Sequence, residues 1–310
     1  MKLYAPENYL SFACIADRCR HTCCAGWEID IDPETLARYR ALPGALGETL
    51  RQGICEDGTG AHFRLDERER CPMLDAQGLC RVILQGGDGL LCQICRDHPR
   101  FRSFFSDRTE IGLGLCCEEA ARQLLFHREP MRLVLLGEDD APEAPLSEAE
   151  AELLDYRADL MAALQDRTLP LPERLARLLP LEEPTPALWA EELTQLEQLD
   201  PAWSALLRAL ATADALPTVD PAFDPCFEQL GWYLLYRHLP GGLEDDLWEE
   251  RAALCLLLVG LARQLFALGP QTPERLTDIV RLMSSELEYS DENIPALLEW
   301  IMPTQNGSLS

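Results

Sequence analysis

The chain has 310 residues, with 53 acidic against 27 basic side chains, a formal net charge of −26, and 13 cysteines. A hydrophobic content of 47% with 7% aromatics is enough to build a packed core and excludes intrinsic disorder. So strong a negative field argues against nucleic acid or an anionic membrane surface as partner and suits a cationic protein better.

Residues 1–10 lack the apolar run of a secretory signal, so the expected compartment is the cytoplasm. Thiol pools there keep disulfides open, and clustered cysteines then point to metal ligation. Eleven of the thirteen fall between Cys14 and Cys117, in the order Cys14, Cys19, Cys23, Cys24, Cys55, Cys71, Cys80, Cys92, Cys95, Cys116 and Cys117. Soft sulfur with almost no interspersed histidine favours a tetrathiolate zinc or an iron–sulfur cluster over calcium or magnesium. Cys92-Gln-Ile-Cys95 alone would serve equally as a redox pair. Within this Gly-rich stretch one helix is expected after Asp32, which caps, with Pro33 in the first turn and Leu36, Tyr39 and Leu42 at helical spacing. Gly112-Leu113-Gly114-Leu115-Cys116-Cys117 starts like a dinucleotide-binding loop but has Cys where the third Gly belongs, and reads as a strand running into a ligand. A second helix should run from Glu118 to about His127, its acidic start matching the helix dipole.

Residues 137–146 are acidic and Pro-rich and read as a linker. Beyond it the pattern is all helical. Ser147 with Glu150 forms a capping box, and Thr185-Pro186, Asp200-Pro201 and Thr272-Pro273 each pair a cap with a first-turn proline. Helices are expected at 147–166, 186–198, 201–213, 223–239, 244–268, 273–288 and 292–301. The most apolar run, Ala252 to Ala262, is about half the roughly 20 residues that cross a bilayer and reads as a core helix. Cys226 and Cys255 sit in such apolar helices as small hydrophobes. The expected fold is mainly α: a Cys-rich, loop-rich metal-binding domain over 1–136, the linker 137–146, and an all-helical domain over 147–310.

A radical S-adenosylmethionine enzyme would want CxxxCxxC, but here Cys24 follows Cys23 directly, and no alternating strand–helix barrel follows. His21, His62, His98, His127 and His238 lack ligand spacing such as HExxH.

Taken together, Phe12-Ala-Cys14, Cys19-xxx-Cys23-Cys24-Ala-Gly26-Trp27-x-Ile29-x-Ile31-Asp32, Cys71-Pro-Met-Leu74, Gly78-Leu-Cys80, Cys95-Arg-x-x-Pro99-Arg100 and Cys117-Glu-Glu-Ala120 resemble the flagellin lysine N-methylase (FliB) family. Tyr233-Leu-Leu-Tyr236-Arg237-His238 and Ser284-Ser-Glu286-Leu-Glu288-Tyr289-Ser290-x-Glu292-Asn293 resemble its helical-domain and C-terminal motifs. The front motifs are shared more loosely with a broader family of Cys-rich zinc- or iron-chelating proteins. The chain departs from the family at Ser285 and Tyr289, where Arg and His usually stand, and at His98, where an aromatic residue is more common.

The resemblance implies S-adenosylmethionine-dependent methylation of lysines on flagellin or a similar surface protein, with a [4Fe-4S] cluster, zinc being the alternative. The matching thiols are Cys14, Cys19, Cys23, Cys24, Cys71, Cys80, Cys95 and Cys117, twice what one cubane takes. Cys55, Cys92 and Cys116 lie outside the pattern. Methyl transfer needs a neutral lysine amine, whose ordinary pKa is near 10.4, so the site must desolvate it or offer a base. Glu288 and Tyr289 are the catalytic candidates, ahead of Glu286, Asp30 and Asp32. Arg96 and Arg100, flanking a matched cysteine, are candidates to hold the donor's carboxylate or to tune the cluster through hydrogen bonds to sulfur, against an ordinary salt bridge. Trp27 reads as a core residue. A metal-binding or redox module without methyltransferase activity is the competing reading.

Overall fold

The computed structural model describes residues 1–302 apart from 27, 59, 139–141, 180–181 and 214. Trp27 and part of the expected linker therefore lie outside the described residues. In chain order come strand β1 (Lys2–Pro6), helices α1 (Pro33–Ala41) and α2 (Gly44–Gly53), strands β2 (Ile54–Glu56) and β3 (Ala61–Phe63), and helices α3 (Arg81–Gly86) and α4 (Gln93–Asp97). Strands β4 (Arg100–Phe104) and β5 (Arg108–Leu113), helix α5 (Glu118–Leu125) and strand β6 (Leu133–Glu138) follow. The rest is helical: α6 (Glu148–Leu164), α7 (Leu171–Leu178), α8 (Pro186–Leu193), α9 (Pro201–Ala211), α10 (Asp224–His238), α11 (Gly242–Asp245), α12 (Trp248–Ala267), α13 (Pro273–Glu288) and α14 (Asn293–Ile301). The chain is mainly α, as expected. Among the described residues no helix is long and apolar enough to cross a membrane.

The chain forms two compact units, 13–101 on one hand and 1–12 with 102–310 on the other. The smaller holds α1 to α4 and the β2–β3 hairpin around a core of Ile29, Ile31, Tyr39, Leu50, Phe63 and Met73. Asp32 caps α1 by accepting from Thr35 N at 2.9 Å, as the sequence predicts.

In the larger unit a sheet of order β4-β5-β1-β6 joins the helices. Strand β1 pairs parallel with β5 and antiparallel with β6. Of the expected linker, Gly137 and Glu138 pair with Leu3 and Lys2 and so belong to the sheet of this unit. The Ser147–Glu150 capping box and the Thr185, Asp200 and Thr272 caps are all formed. Helix α12 is buried almost all round, with α10 packed along it. Such a helix is a core element, and Cys255 on it is 1% exposed. Helix α7 was not expected. It carries Arg174, 5% exposed, to the fully buried Glu228 at 2.6 Å, and Arg167 reaches the same carboxylate at 2.8 Å.

Candidate functional site

Helices α10 and α13 carry the two C-terminal motifs, which lie some fifty residues apart in sequence, and the fold brings them together. Tyr233, Arg237 and His238 recur at helical spacing near the end of α10, while Glu288 ends α13 and Tyr289 follows it. Glu288 has a side chain only 2% exposed. Its Oε2 accepts from Tyr233 Oη at 2.6 Å and from Arg237 Nε at 2.9 Å, and His238 Nε2 stands 3.5 Å away. Arg237 Nη1 also donates to Tyr233 Oη at 3.0 Å, and its guanidinium lies 4.9 Å from the centre of the Tyr289 ring.

Burial pushes the Glu288 carboxyl upward, but Arg237, His238 and the Tyr233 hydroxyl outweigh it and hold the group below the usual carboxylate range. The carboxylate is therefore ionised within a neutral-to-cationic shell: burial drives His238 down and Tyr233 well up. Tyr289 is the member that reaches solvent, at 44% exposure. Its hydroxyl is hydrogen-bonded with the Cys116 thiol, which burial pushes up to about 12. The segment after β5 is shaped to this tyrosine, since a Cβ on Gly114 would collide with Tyr289 Oη. Leu115 N donates to Tyr233 Oη at 3.3 Å. Glu288 and Tyr289, selected by motif, thus stand together. Cys116 and Gly114 were missed because only the fold brings residues 114–116 to residue 289.

The Glu286 and Asp32 carboxylates have structural partners. Glu286, fully buried, accepts from Leu199 N at 2.9 Å and Asp200 N at 2.6 Å, fixing the turn before α9. Asp32, besides capping α1, accepts Gln93 N at 2.9 Å through its second oxygen and so anchors the start of α4. Asp30 sits opposite His62 in an isolated backbone β-bridge.

The second cluster is in the 13–101 unit. Cys71 and Cys92 are buried in its core, with Cys24, Cys80 and Cys95 packed against it. Backbone bonds bring them there: Cys71 N donates to Cys24 O at 2.9 Å, Leu74 bridges to Cys80, and the turn into α4 presents Cys92 and Cys95. Cys23 shares a thiol hydrogen bond with Cys24, which raises its pKa. Burial raises Cys71 to about 11, and the charges of Cys80, Cys92 and Cys23 add to the effect. Cys92 and Cys95 share a hydrogen bond that lowers the first and raises the second. Crowded, buried thiols are costly to ionise, and a bound cation offsets that cost. The donor chemistry therefore fits soft-metal ligation. Among the described residues, however, no three His, Cys, Asp or Glu side chains are set to hold one metal ion.

Of the eight matched cysteines, Cys23, Cys24, Cys71, Cys80 and Cys95 gather here, together with Cys92, which the motif left out. Cys14 is exposed and accepts from Ala16 N at 3.4 Å, and the Cys19 thiol donates to His21 O at 2.8 Å. Cys55 lies in β2 opposite His62, and Cys117 precedes α5 in the larger unit. Arg96 donates to Leu91 O at 2.9 Å and Arg100 to Arg96 O at 3.2 Å, so both brace the loop around α4.

Comparison with known proteins gives three relevant relatives. Lysine-N-methylase of Salmonella typhimurium is 29% identical over 158 residues, covering 48% of this chain and 39% of that protein, and the Salmonella choleraesuis protein of the same name matches equally. Flagellar biosynthetic protein FliU of Salmonella muenchen is 30% identical over 134 residues, 41% of this chain and 79% of that protein. The match thus spans about two-fifths of the length of the lysine-N-methylases. No protein-family model and no solved structure matches the chain.

Proposed function

The chain belongs to the lysine N-methylase family that includes FliB and FliU, and on that premise we propose that it methylates lysine side chains of a flagellin-like surface protein, with S-adenosylmethionine as donor. The observation that carries this reading is the meeting of the 233–238 and 284–293 motifs at an ionised, buried Glu288 with Tyr289 at the surface. In the reaction the lysine nitrogen's lone pair forms a bond to the sulfonium methyl carbon. The carbon–sulfur bond breaks with its electron pair going to sulfur, leaving a thioether, and the nitrogen loses a proton.

The half-exposed Tyr289 ring is the surface against which the lysine stem packs, and Arg237 behind it fixes its orientation. Glu288 holds Arg237 and Tyr233 in place, and its negative potential stabilises the positive charge that develops on nitrogen; because its carboxyl is held low, the proton lost from nitrogen passes to solvent at the exposed side of Tyr289. The thiols of 13–101, chiefly Cys23, Cys24, Cys71, Cys80 and Cys95, would hold an iron–sulfur cluster, or zinc, which when bound offsets their mutual repulsion and stabilises that unit. The test is anaerobic purification followed by incubation with donor and flagellin from the same organism. Peptide mass spectrometry should find methylated lysines, and an unmodified flagellin with metal-replete protein would sink the reading. A metal or redox module without transferase activity is the second reading. It is supported by the gathering of thiols in a unit that does not contain Glu288.

A further inference from the structure

The 13–101 unit has an open hollow of about 410 Å³ lined by Asp66, Arg68, Arg70, Cys71, Leu74 and Asp75 among others. Its volume falls in the range of roughly 300–1,000 Å³ typical of small-molecule sites. Two tight turns build it. In the first, Asp66 Oδ1 accepts from Arg68 N at 2.8 Å and Arg70 N at 3.0 Å; in the second, Asp75 Oδ1 accepts from Gln77 N at 2.9 Å and Leu79 N at 2.8 Å. One oxygen of each carboxylate is thus committed to its own turn, which fixes the group's orientation. Among the described residues the second oxygen of each, and both guanidinium groups, make no hydrogen bond; the Asp66 carboxyl is held low by the backbone hydrogen bonds and then by the charges of Arg70 and Arg68 beside it. Arg70 extends over the Gly78 turn, where a Cβ on that glycine would meet Nη2 at 3.8 Å. Cys71, a buried member of the thiol cluster, forms part of the wall, and Pro72 and Leu74 supply apolar surface.

Paired guanidinium and carboxylate groups in one hollow match a ligand that carries both charges on one carbon. Guanidinium takes a carboxylate in a two-pronged geometry, and carboxylate takes an ammonium. We propose that this hollow binds the α-amino-acid end of a small-molecule ligand, Arg68 and Arg70 taking its carboxylate and Asp75 its ammonium. S-adenosylhomocysteine and free methionine both carry such an end and are the probes of this ligand class. Arg96 and Arg100, which motif position suggested for this role, brace a loop instead and do not line the hollow.

Calorimetric titration of the full metal-replete chain with S-adenosylhomocysteine, and separately with free methionine, tests this. The Arg68→Ala/Arg70→Ala double variant should bind each probe at least tenfold more weakly, while Arg64→Ala, an exposed arginine of the same unit outside the hollow, should leave affinity unchanged. Asp75→Asn keeps the turn's acceptor oxygen and removes the charge, so it remains informative if the double variant fails to fold. It too should weaken methionine binding, and should leave a desamino analogue unaffected. Unchanged affinity in a folded double variant, or in Asp75→Asn, overturns the proposal and leaves the methylation reading standing. Wild-type protein that methylates nothing yet binds methionine through these arginines overturns that reading and keeps the site. Wild-type protein that binds neither probe overturns the site.

Discussion

Tyr289 joins the surface to the buried network, because its ring is half exposed while its hydroxyl is bonded to Cys116 and seated against Gly114. Gly114→Ala introduces one methyl where that hydroxyl sits, so it should displace Tyr289 without altering any reacting group. We expect a folded protein whose lysine methylation falls at least as far as in Tyr289→Phe, measured as kcat/KM on flagellin. Equal activity of Gly114→Ala and wild type would remove Tyr289 from the site. The sequence made Glu288 and Tyr289 legible through their motif, and Tyr233, Arg237 and His238 through theirs. It could not show that they share one carboxylate, since that contact depends on how α10 and α13 pack. Cys92 was illegible for a related reason: its spacing to Cys95 is ambiguous, and only its burial beside Cys71 places it with the other thiols.

Among the elements, those with a chemical punctuation mark were legible, and each Pro-started or Ser-capped helix begins where its cap stands. Helix α7 was hidden because Pro170 and Pro172 disguise a first turn as a loop, and its anchor is a buried ion pair with no sequence signature. Of the strands of the larger unit only the end of β5 at Gly112 and Leu113 was legible; β1 was hidden because it meets β5 only across about a hundred residues. Glu228 on α10 ties down α7 through Arg174 and the turn before it through Arg167. Glu228→Gln would leave Arg174 buried without its counter-charge, at a cost of about 3–5 kcal/mol. That should appear as a lower urea midpoint with an unchanged slope.

The α6 capping box supplies a pH-dependent contribution. Burial pushes Glu150 up, yet hydrogen bonds from Ser147 and Ser106 win and hold it at about 2 against an ordinary 4.5. A folded-state value below the unfolded one means the stabilisation is complete above about pH 4.5 and is lost as pH falls toward 2. Glu150→Gln should flatten the stability profile across that window, read from urea midpoints at successive pH values.

For the whole molecule, the net charge of −26 predicts that binding to a lysine-rich protein surface weakens steeply with salt. Association rates that do not change between low and high ionic strength would count against a cationic partner. Chelation of anaerobically purified protein should raise amide exchange across 13–101 while leaving α10 and α12 protected, because Cys24, Cys71, Cys80, Cys92 and Cys95 all pack in the smaller unit. Uniform loosening of both units would contradict that assignment. The order of synthesis has its own consequence. At about 5–20 residues per second, the strand at residues 2–6 leaves the ribosome on the order of ten seconds before residues 108–138 exist to flank it. During that interval the intervening cysteines have already emerged while the amino terminus is still unmoored, so any metal those thiols take would meet them before the first strand is paired.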